Sequence, residues 1–324
     1  MTHVLRPCPC GSGDKYEQCC GRFHQGAVPE NALQLMRSRY TAYVYDLPDY
    51  LIKTTHPASP HYIENKSFWK KDLSEFTTSV TFHRLEILDF RENGTMATVV
   101  FVTYFNQNNQ EIAYTEQSFF EKTKGNWYYL RGKMTKGRVV PKNTKKTLQF
   151  LPIAYYGEPV LRVKAPLLTE ITDETLFLVE QMIETMEAFS GIGLAAPQIH
   201  QSQRIFITKA PIEGRDGKLS PGNIEVFINP ILSSPSSSAC DIEEGCLSIP
   251  TIRAMVRRPK EITIEYTTLE GDVVKRRLVE WEARTAMHEN DHINGVLFFD
   301  RLSPKEKKAL EPRLENLKNR LQLD

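Results

Sequence analysis

The chain has 324 residues, longer than one typical domain, and its 40% hydrophobic and 25% charged residues are typical of a soluble globular protein. No stretch approaches the ~18 consecutive apolar residues of a membrane span, and residues 1–14 lack the apolar run of a signal peptide. We therefore expect a cytoplasmic protein with no membrane partner.

The net charge of +1 is unevenly divided. Residues 1–149 carry 20 Lys and Arg against 14 Asp and Glu, a net charge of +6, and residues 150–324 carry 21 against 26, a net charge of −5. A basic half of this size is more often a solvated surface than a binding site for an acidic partner such as RNA, so both interpretations stay open.

Six cysteines in a cytoplasmic protein favour metal ligands or free thiols over disulfides. Four of them lie close together at the start of the chain: Cys8, Cys10, Cys19 and Cys20. Four thiolates suffice for a closed tetrahedral zinc site, and Gly11 and Gly13 permit the tight turn that such a site needs. We predict a structural zinc knuckle over residues 1–27, with His24 as an alternative fourth ligand. Four free cysteines are the competing interpretation.

The next segment, residues 28–140, has the pattern of a small α+β domain. Apolar residues recur at helical spacing from Asn31 to Tyr45, and β-branched and aromatic residues mark strands from Val99 to Phe105 and from Trp127 to Leu130. A lysine-rich stretch around Pro141 has no apolar periodicity, so we expect a linker at residues 141–149.

Two resemblances cover this half. The cysteine cluster resembles the SEC-C motif. The segments Met36 to Tyr40, Asp49 to Thr54 and Trp127 to Tyr129 resemble the YchJ-like family, over about residues 5–140 in all. The resemblance implies a cone-like α+β domain of the nuclear-transport-factor-two-like type. A pocket is common in this fold, but the fold alone does not establish a ligand.

The second half, residues 150–324, mixes helices with short strands. A helix from Asp173 to Phe189, capped by Thr172 or Asp173, is predicted to bury one apolar stripe: Leu176, Val179, Met182, Ile183 and Met186. Two further helices are predicted from Glu280 to Asn294, ended by Gly295, and from Pro304 to Leu321. Strands are expected at four places: Arg204 to Ile207, Val226 to Ile228, Glu261 to Tyr266 and Val273 to Leu278.

The helix after Glu280 carries the pattern HExxH. Its two histidines, His288 and His292, are four residues apart and lie on one helix face, so both can bind one metal ion. Glu289 between them is placed to act as a general base. A catalytic site also needs a third ligand and an open position, and Cys246 offers a thiolate. Taken alone, the pattern also fits an ordinary surface helix, and a single cysteine is often a buried apolar residue.

Three ordered segments resolve this ambiguity: Gly191 to Gln198, Glu244 to Ser248 and His288 to His292. Together they resemble the three motifs of peptide deformylases. The similarity extends to Tyr156–Arg162 and Asn294–Leu302 and covers about residues 150–320. It implies an α+β deformylase fold, with mixed antiparallel sheets around a central HExxH helix. One departure is Met287, where the family usually has glutamine.

The resemblance also assigns roles. Cys246, His288 and His292 would hold a divalent metal, for which the family favours Fe²⁺, with Zn²⁺ or Ni²⁺ as alternatives. Glu289 would be the general base. Gln198 and the backbone N–H of Leu247 would stabilise the oxyanion.

The sequence indicates the residues that bind the peptide less clearly than it indicates the metal ligands. In similar proteins the edge at Ile192 and Gly193 pairs with the formyl-methionyl substrate as an added strand. Arg253 matches a family position near that path, or is only a surface charge. Arg258 and Asp291 are candidates for residues that orient the metal-binding helix.

The sequence thus predicts a peptide deformylase that removes the formyl group from the N-terminal methionine of nascent polypeptides. Its N-terminal half would dock on the ribosome, through RNA or protein, or on another partner. Two alternatives are a binding protein that retains a deformylase shell and a zinc protease. A protease would share His288 and His292 but would not need the motifs that contain Cys246 and Gln198.

Overall fold

A computed structural model describes residues 7–107, 110–140, 150–214 and 217–321. The predicted linker, residues 141–149, lies outside the described residues. The described part of the chain falls into two compact units, one before and one after residues 141–149. Within these residues, no helix has both the length and the apolar character needed to cross a membrane.

The first unit is built on a four-stranded antiparallel meander in the order β1-β2-β3-β4. Its strands are β1 (Thr81–Asn93), β2 (Met96–Gln107), β3 (Gln110–Thr123) and β4 (Asn126–Lys136). The turn between β3 and β4 consists of Lys124 and Gly125, both with positive φ (48° and 85°). Two such residues form the tight hairpin turn that matches the natural twist of the strands. Strands β2 and β4 are longer than the sequence pattern indicated, and β1 and β3 were not predicted.

Four helices accompany this sheet. They are α1 (Cys20–His24), α2 (Ala32–Val44), α3 (Pro48–Lys53) and α4 (Lys66–Ser79). The prediction of α2 is confirmed, and the Asn31 side chain caps it by accepting from the Gln34 N–H at 2.9 Å. Both α3 and α4 were missed, because few of their residues are buried and the apolar period is weak.

The core of the first unit lies between α2 and the sheet. It joins Leu35 and Met36 of α2 to Phe101 and Phe120 of the strands. Three of the four clustered cysteines belong to the same core: Cys8, Cys10 and Cys20. The cysteine-rich segment is therefore packed as part of this α+β unit.

The second unit contains a five-stranded antiparallel sheet in the order β13-β12-β9-β6-β5 and two two-stranded sheets, β10-β11 and β7-β8. The strands are β5 (Gly193–Ala195), β6 (Ile205–Thr208), β7 (Ile212–Glu213), β8 (Leu219–Ser220), β9 (Glu225–Ser233), β10 (Ala239–Cys246), β11 (Ile249–Pro259), β12 (Glu261–Thr267) and β13 (Val273–Val279). Its helices are α5 (Asp173–Ala188), α6 (Glu280–His292) and α7 (Pro304–Leu321).

Helix α6 is the centre of this unit. Its apolar side buries Ala283, Ala286 and Met287 against the five-stranded sheet. A separate apolar cluster joins β11, α7 and Phe298. The expected arrangement of antiparallel sheets around an HExxH helix is confirmed. Because a helix buried on several sides can hold its polar side chains rigidly, α6 is a suitable base for a reactive site.

Two details differ from the sequence pattern. Helix α6 ends at His292, two residues earlier than predicted, and Gly295 (φ 72°) follows it. Helix α5 buries Leu178, whereas Leu176 of the predicted stripe is 42% exposed. The predicted apolar face of α5 is thus slightly rotated from the face that is buried. Residues 176–178 are all apolar, so the sequence pattern does not show which of them faces the core.

Candidate functional site

Three potential metal ligands converge in the second unit. Cys246 ends β10, and His288 and His292 lie one turn apart on α6; their ligand atoms are within 4.8 Å of one another. The Cys246 Sγ and the His292 Nε2 are 3.2 Å apart. One thiolate and two imidazoles with a further open position form the donor set of a catalytic divalent metal. These residues therefore fit such an ion.

A buried carboxylate orients His288. The His288 Nδ1 lies 2.9 Å from the Glu244 Oε2, which leaves its Nε2 for the metal. Arg258 binds Glu244 with two hydrogen bonds, at 2.6 and 2.9 Å, and Arg284 adds a third at 2.8 Å. Burial alone would raise the pKa of Glu244, but the hydrogen bonds from His288 and Arg258 outweigh it and hold that pKa well below its usual value. Glu244 is therefore an anion that fixes the imidazole.

The same arginine also binds helix α6 directly. The Arg258 guanidinium donates to the Asp291 carboxylate at 2.8 Å, and Arg301 also pairs with Asp291. Arg258 and Asp291, two candidates from the sequence for residues that orient the metal-binding helix, therefore bind each other. The roles of Arg284 and Arg301 were not predicted, because the spacing of neither residue indicates what it binds.

Glu289 follows His288 directly on α6 and is 4% exposed. Its Oε2 is buried and has no hydrogen-bond partner among the described residues. Burial raises the pKa of Glu289 to about 7, which suits a group that accepts and returns a proton near neutral pH. A Cβ on Gly193 would lie 2.3 Å from the Glu289 Oε1. Only glycine at position 193 leaves space for the carboxylate.

Gln198 is held in one orientation. Its Oε1 accepts from the Ala195 N–H at 2.8 Å, so its amide nitrogen points away, donating to the Cys246 Sγ at 3.4 Å and to the Ser248 Oγ at 3.3 Å. Leu247 is half-buried in the turn between β10 and β11. The structure thus places Gln198, Leu247 and Cys246 together.

The residues predicted for the peptide path differ in their surroundings. Strand β5 is an edge strand, and the preceding Ile192 is 45% exposed. The Ile192 carbonyl accepts a hydrogen bond from the Lys209 N–H at 2.7 Å, and Lys209 directly follows β6. The Arg253 side chain is exposed on β11 and lies 3.7 Å from Glu243. Arg253 does not contact the three ligands within the described residues. Met287 packs in the apolar cluster beneath the sheet and makes no polar contact there.

A second ligand set lies in the first unit. The sulfur atoms of Cys8, Cys10, Cys19 and Cys20 all lie within 4.8 Å of one another. Four converging thiols, three of them buried, fit a closed zinc site. Both ring nitrogens of His24 are engaged elsewhere, with the Tyr16 hydroxyl at 2.9 Å and the Ser38 carbonyl at 3.0 Å. His24 is therefore unsuited to replace one of the cysteines.

Comparison with known protein families divides the chain into the same segments as the sequence analysis did. Residues 150–308 match the model of the polypeptide deformylase family, residues 31–132 that of the YchJ middle NTF2-like domain, and residues 7–22 the SEC-C motif. The three predicted resemblances, in this order along the chain, are confirmed.

Individual relatives match the second unit. A peptide deformylase of Pseudothermotoga lettingae is 38% identical over 162 residues, 50% of this chain and 88% of that protein. One from Fusobacterium nucleatum is 39% identical over 168 residues, 51% of this chain and 91% of that protein. The crystal structure of the Thermotoga maritima enzyme is 37% identical, with a TM-score of 0.43, and covers 48% of this chain and 99% of that one. Since 88% and 91% of the lengths of the first two relatives are matched at 38% and 39% identity, the chain belongs to the peptide deformylase family.

Proposed function

We propose that the second unit hydrolyses the formyl group from the N-terminal formyl-methionine of nascent polypeptides, with the roles assigned below. The observation that carries this proposal is the convergence of Cys246, His288 and His292 beside a buried carboxylate, Glu289, that has an unpartnered oxygen. A binding protein would not need a carboxylate that costs free energy to bury.

Cys246, His288 and His292 would hold the catalytic metal, which we assign as Fe²⁺, with Zn²⁺ and Ni²⁺ also compatible with the donor set. When bound, such a metal supplies a Lewis acid that lowers the pKa of water from ~15.7 towards neutrality. Glu244 positions His288 and keeps its Nε2 free for this purpose. A soft thiolate and oxidisable iron both favour a reducing cytoplasm as the place of work.

Glu289 acts as the general base. It accepts a proton from the attacking water and delivers it to the amine that leaves as the C–N bond of the formamide breaks. Its buried position and pKa of about 7 allow both directions of transfer.

Gln198 and Leu247 stabilise the oxygen of the formyl group as it becomes negative. The Gln198 amide is preoriented by the Ala195 N–H, so it needs no reorganisation during the reaction. The Leu247 backbone N–H is the second donor. Loss of one such donor costs about 3 kcal/mol of transition-state stabilisation.

The peptide binds along the edge at β5. An edge strand has backbone groups free to pair with an extended chain, and Ile192 and Gly193 lie where the edge approaches Glu289. We assign Arg253, exposed on β11, to the rim of this path.

The test compares a formyl-Met peptide with the acetyl-Met peptide of the same sequence. Wild-type protein should hydrolyse only the formyl peptide. Glu289→Gln should keep its metal and lose most of its turnover, whereas Glu280→Gln, an exposed glutamate of the same helix, should behave as the wild type. Near-normal kcat in Glu289→Gln would remove the general base from the mechanism.

We further propose a role for the first unit. Its four cysteines would hold a structural Zn²⁺, and its basic surface would dock on the ribosome, where RNA phosphates dominate. Docking raises the local concentration of nascent chains without changing the active site. A small ligand or a protein partner for this unit is the rival hypothesis.

Ribosome docking is tested by co-sedimentation at low and high salt, comparing the full chain with residues 148–324. The shorter chain should fold alone, because independent deformylases have about this length. The full chain should sediment with ribosomes at low salt and dissociate as salt rises. Equal sedimentation of both proteins would contradict docking by the first unit.

A further inference from the structure

A buried arginine of the first unit has no carboxylate partner among the residues that the structure describes. Arg39 on α2 is 7% exposed, and its Nη1 donates to the Leu51 carbonyl and to the hydroxyls of Thr54 and Thr55, at 2.9, 2.7 and 3.2 Å. Its Nη2 and Nε have no acceptor in the part of the chain that the structure describes. Buried charges are usually paired, because an unpaired charge loses its hydration without compensation. Half of this guanidinium therefore remains available to a ligand.

A carboxylate on β3 is unpaired in the same way. The Oε1 of Glu116 accepts from the Ser118 hydroxyl at 2.6 Å and from the Tyr129 hydroxyl at 3.3 Å. No cation within 4.0 Å pairs with Glu116 among the described residues, and its Oε2 has no donor there. A Cβ on Gly132, the neighbour on β4, would lie 2.1 Å from the Oε1. The sheet thus leaves space for this carboxylate, although neither hydroxyl neutralises its charge.

Both charged side chains contact the same aromatic residue, Tyr129. The Arg39 Cζ is 4.5 Å from the centre of the Tyr129 ring, and the hydroxyl of that ring binds Glu116. Burial raises the pKa of Glu116, and Arg39 lowers it through space without forming an ion pair. The exposed His61 ring is stacked on Tyr129, with the ring centroids 6.4 Å apart. A cation and an anion that form no ion pair with each other therefore contact the same tyrosine.

We propose that Arg39, Glu116 and Tyr129 form a binding site for a small zwitterion of the α-amino acid class. The free edge of the Arg39 guanidinium binds the ligand carboxylate, and the Glu116 Oε2 accepts from its ammonium group. Tyr129 holds both side chains in place, since its ring contacts Arg39 and its hydroxyl binds Glu116. An anion alone would leave Glu116 unpaired and would be repelled by it. A cation alone would meet the same difficulty with Arg39, so a ligand with both groups is favoured.

The first experiment needs no variant. Binding of the standard amino acids to the full chain is measured by titration calorimetry, omitting methionine because the second unit acts on methionyl peptides. Each amino acid that binds is compared with the amine lacking its carboxylate and the acid lacking its amine. We expect binding at one site per chain and a loss of about 10-fold or more for either half-ligand, since each loses a charge-assisted hydrogen bond. Absence of binding at millimolar concentration, or half-ligands as strong as the zwitterion, would overturn the proposal.

The second experiment locates the site. Glu116→Gln keeps the shape of the side chain and removes its charge, and should weaken binding by about 10-fold or more while deformylase kcat stays at the wild-type value. The matched control is Glu111→Gln, an exposed glutamate on the same strand, which should bind as the wild type does. Unchanged affinity in Glu116→Gln would place the ligand elsewhere and refute the assignment.

Discussion

Replacing Gly193 with alanine tests how closely the active site depends on the placement of Glu289. The new Cβ would lie 2.3 Å from the Glu289 Oε1, 2.7 Å from its Cδ and 2.9 Å from its Cγ, whereas real Cβ contacts essentially never fall under 3.0 Å. The φ of Gly193 is outside the left-handed region, so alanine strains no backbone there. Moving the carboxylate, which is the end of a flexible side chain, by about 0.7 Å would relieve the shortest contact, because 0.7 Å is the difference between 3.0 and 2.3 Å.

A displacement of this size should lower kcat on the order of 10²-fold, equivalent to about 2.7 kcal/mol of activation free energy. The assay is steady-state hydrolysis of a formyl-Met peptide, with metal content measured in the same sample. Because Glu289 is not a ligand, the metal should stay bound. The double variant Gly193→Ala with Glu289→Asp, whose shorter side chain avoids the added methyl, should lose less than the product of the two single losses.

The kinetic constants also separate this explanation from a loss of peptide pairing along β5. Impaired pairing would raise KM and leave kcat nearly unchanged. A kcat for Gly193→Ala within about threefold of the wild type would refute the steric argument.

Four further outcomes are expected. Cys246→Ala should lose the catalytic metal, measured by elemental analysis, together with all turnover. Cys19→Ser should lower the total from two metals to one and destabilise the first unit in thermal unfolding, with deformylase activity nearly intact; a single metal in fully active wild type would contradict the knuckle. Glu244→Gln removes the anion between Arg258 and Arg284 and should destabilise the second unit by about 3–5 kcal/mol in denaturant unfolding. A loss of less than 1 kcal/mol in the free energy of unfolding would show that the charges of Arg258 and Arg284 do not depend on Glu244 for neutralisation. Burial alone would raise the pKa of Asp300, but hydrogen bonds from Arg162 and Lys307 hold that pKa below its usual value. The ionised Asp300 therefore stabilises the folded state above about pH 4, and this contribution is lost as the pH falls further. Asp300→Asn should therefore lose stability at neutral pH and show a weaker dependence below pH 4, measured by unfolding at several pH values.

The sequence predicted those parts of the site whose chemistry has a fixed spacing. Two histidines at i and i+4 must share a helix face, so the positions of His288 and His292 follow from the helix alone. The addition of Cys246 depended on the family resemblance, because nothing in the spacing shows that β10 ends beside α6. The structure supplies that proximity.

What could not be predicted depends on contacts between distant segments. Arg284 lies 40 residues from Glu244, and a charged residue in a helix normally faces water. The buried face of α5 also depends on tertiary packing. Three consecutive apolar residues there do not indicate whether Leu176 or Leu178 is buried. In the first unit, Arg39 belongs to a segment that resembles the YchJ-like family, but that resemblance assigns it no role. The surroundings of Arg39 and Glu116 depend on contacts in three dimensions that no local pattern indicates.

The shortness of β5 has a consequence for how generally the enzyme can act. An edge of three residues, Gly193–Ala195, can align with only about three residues of an extended partner, because strand pairing proceeds one residue per position. Main-chain hydrogen bonds along this edge do not distinguish one side chain from another. With the peptide path proposed above, this edge would bind only the first few residues of a polypeptide and make no contact with the remainder. One enzyme can then process products of many unrelated genes, and a short edge also gives other proteins little opportunity to aggregate on it.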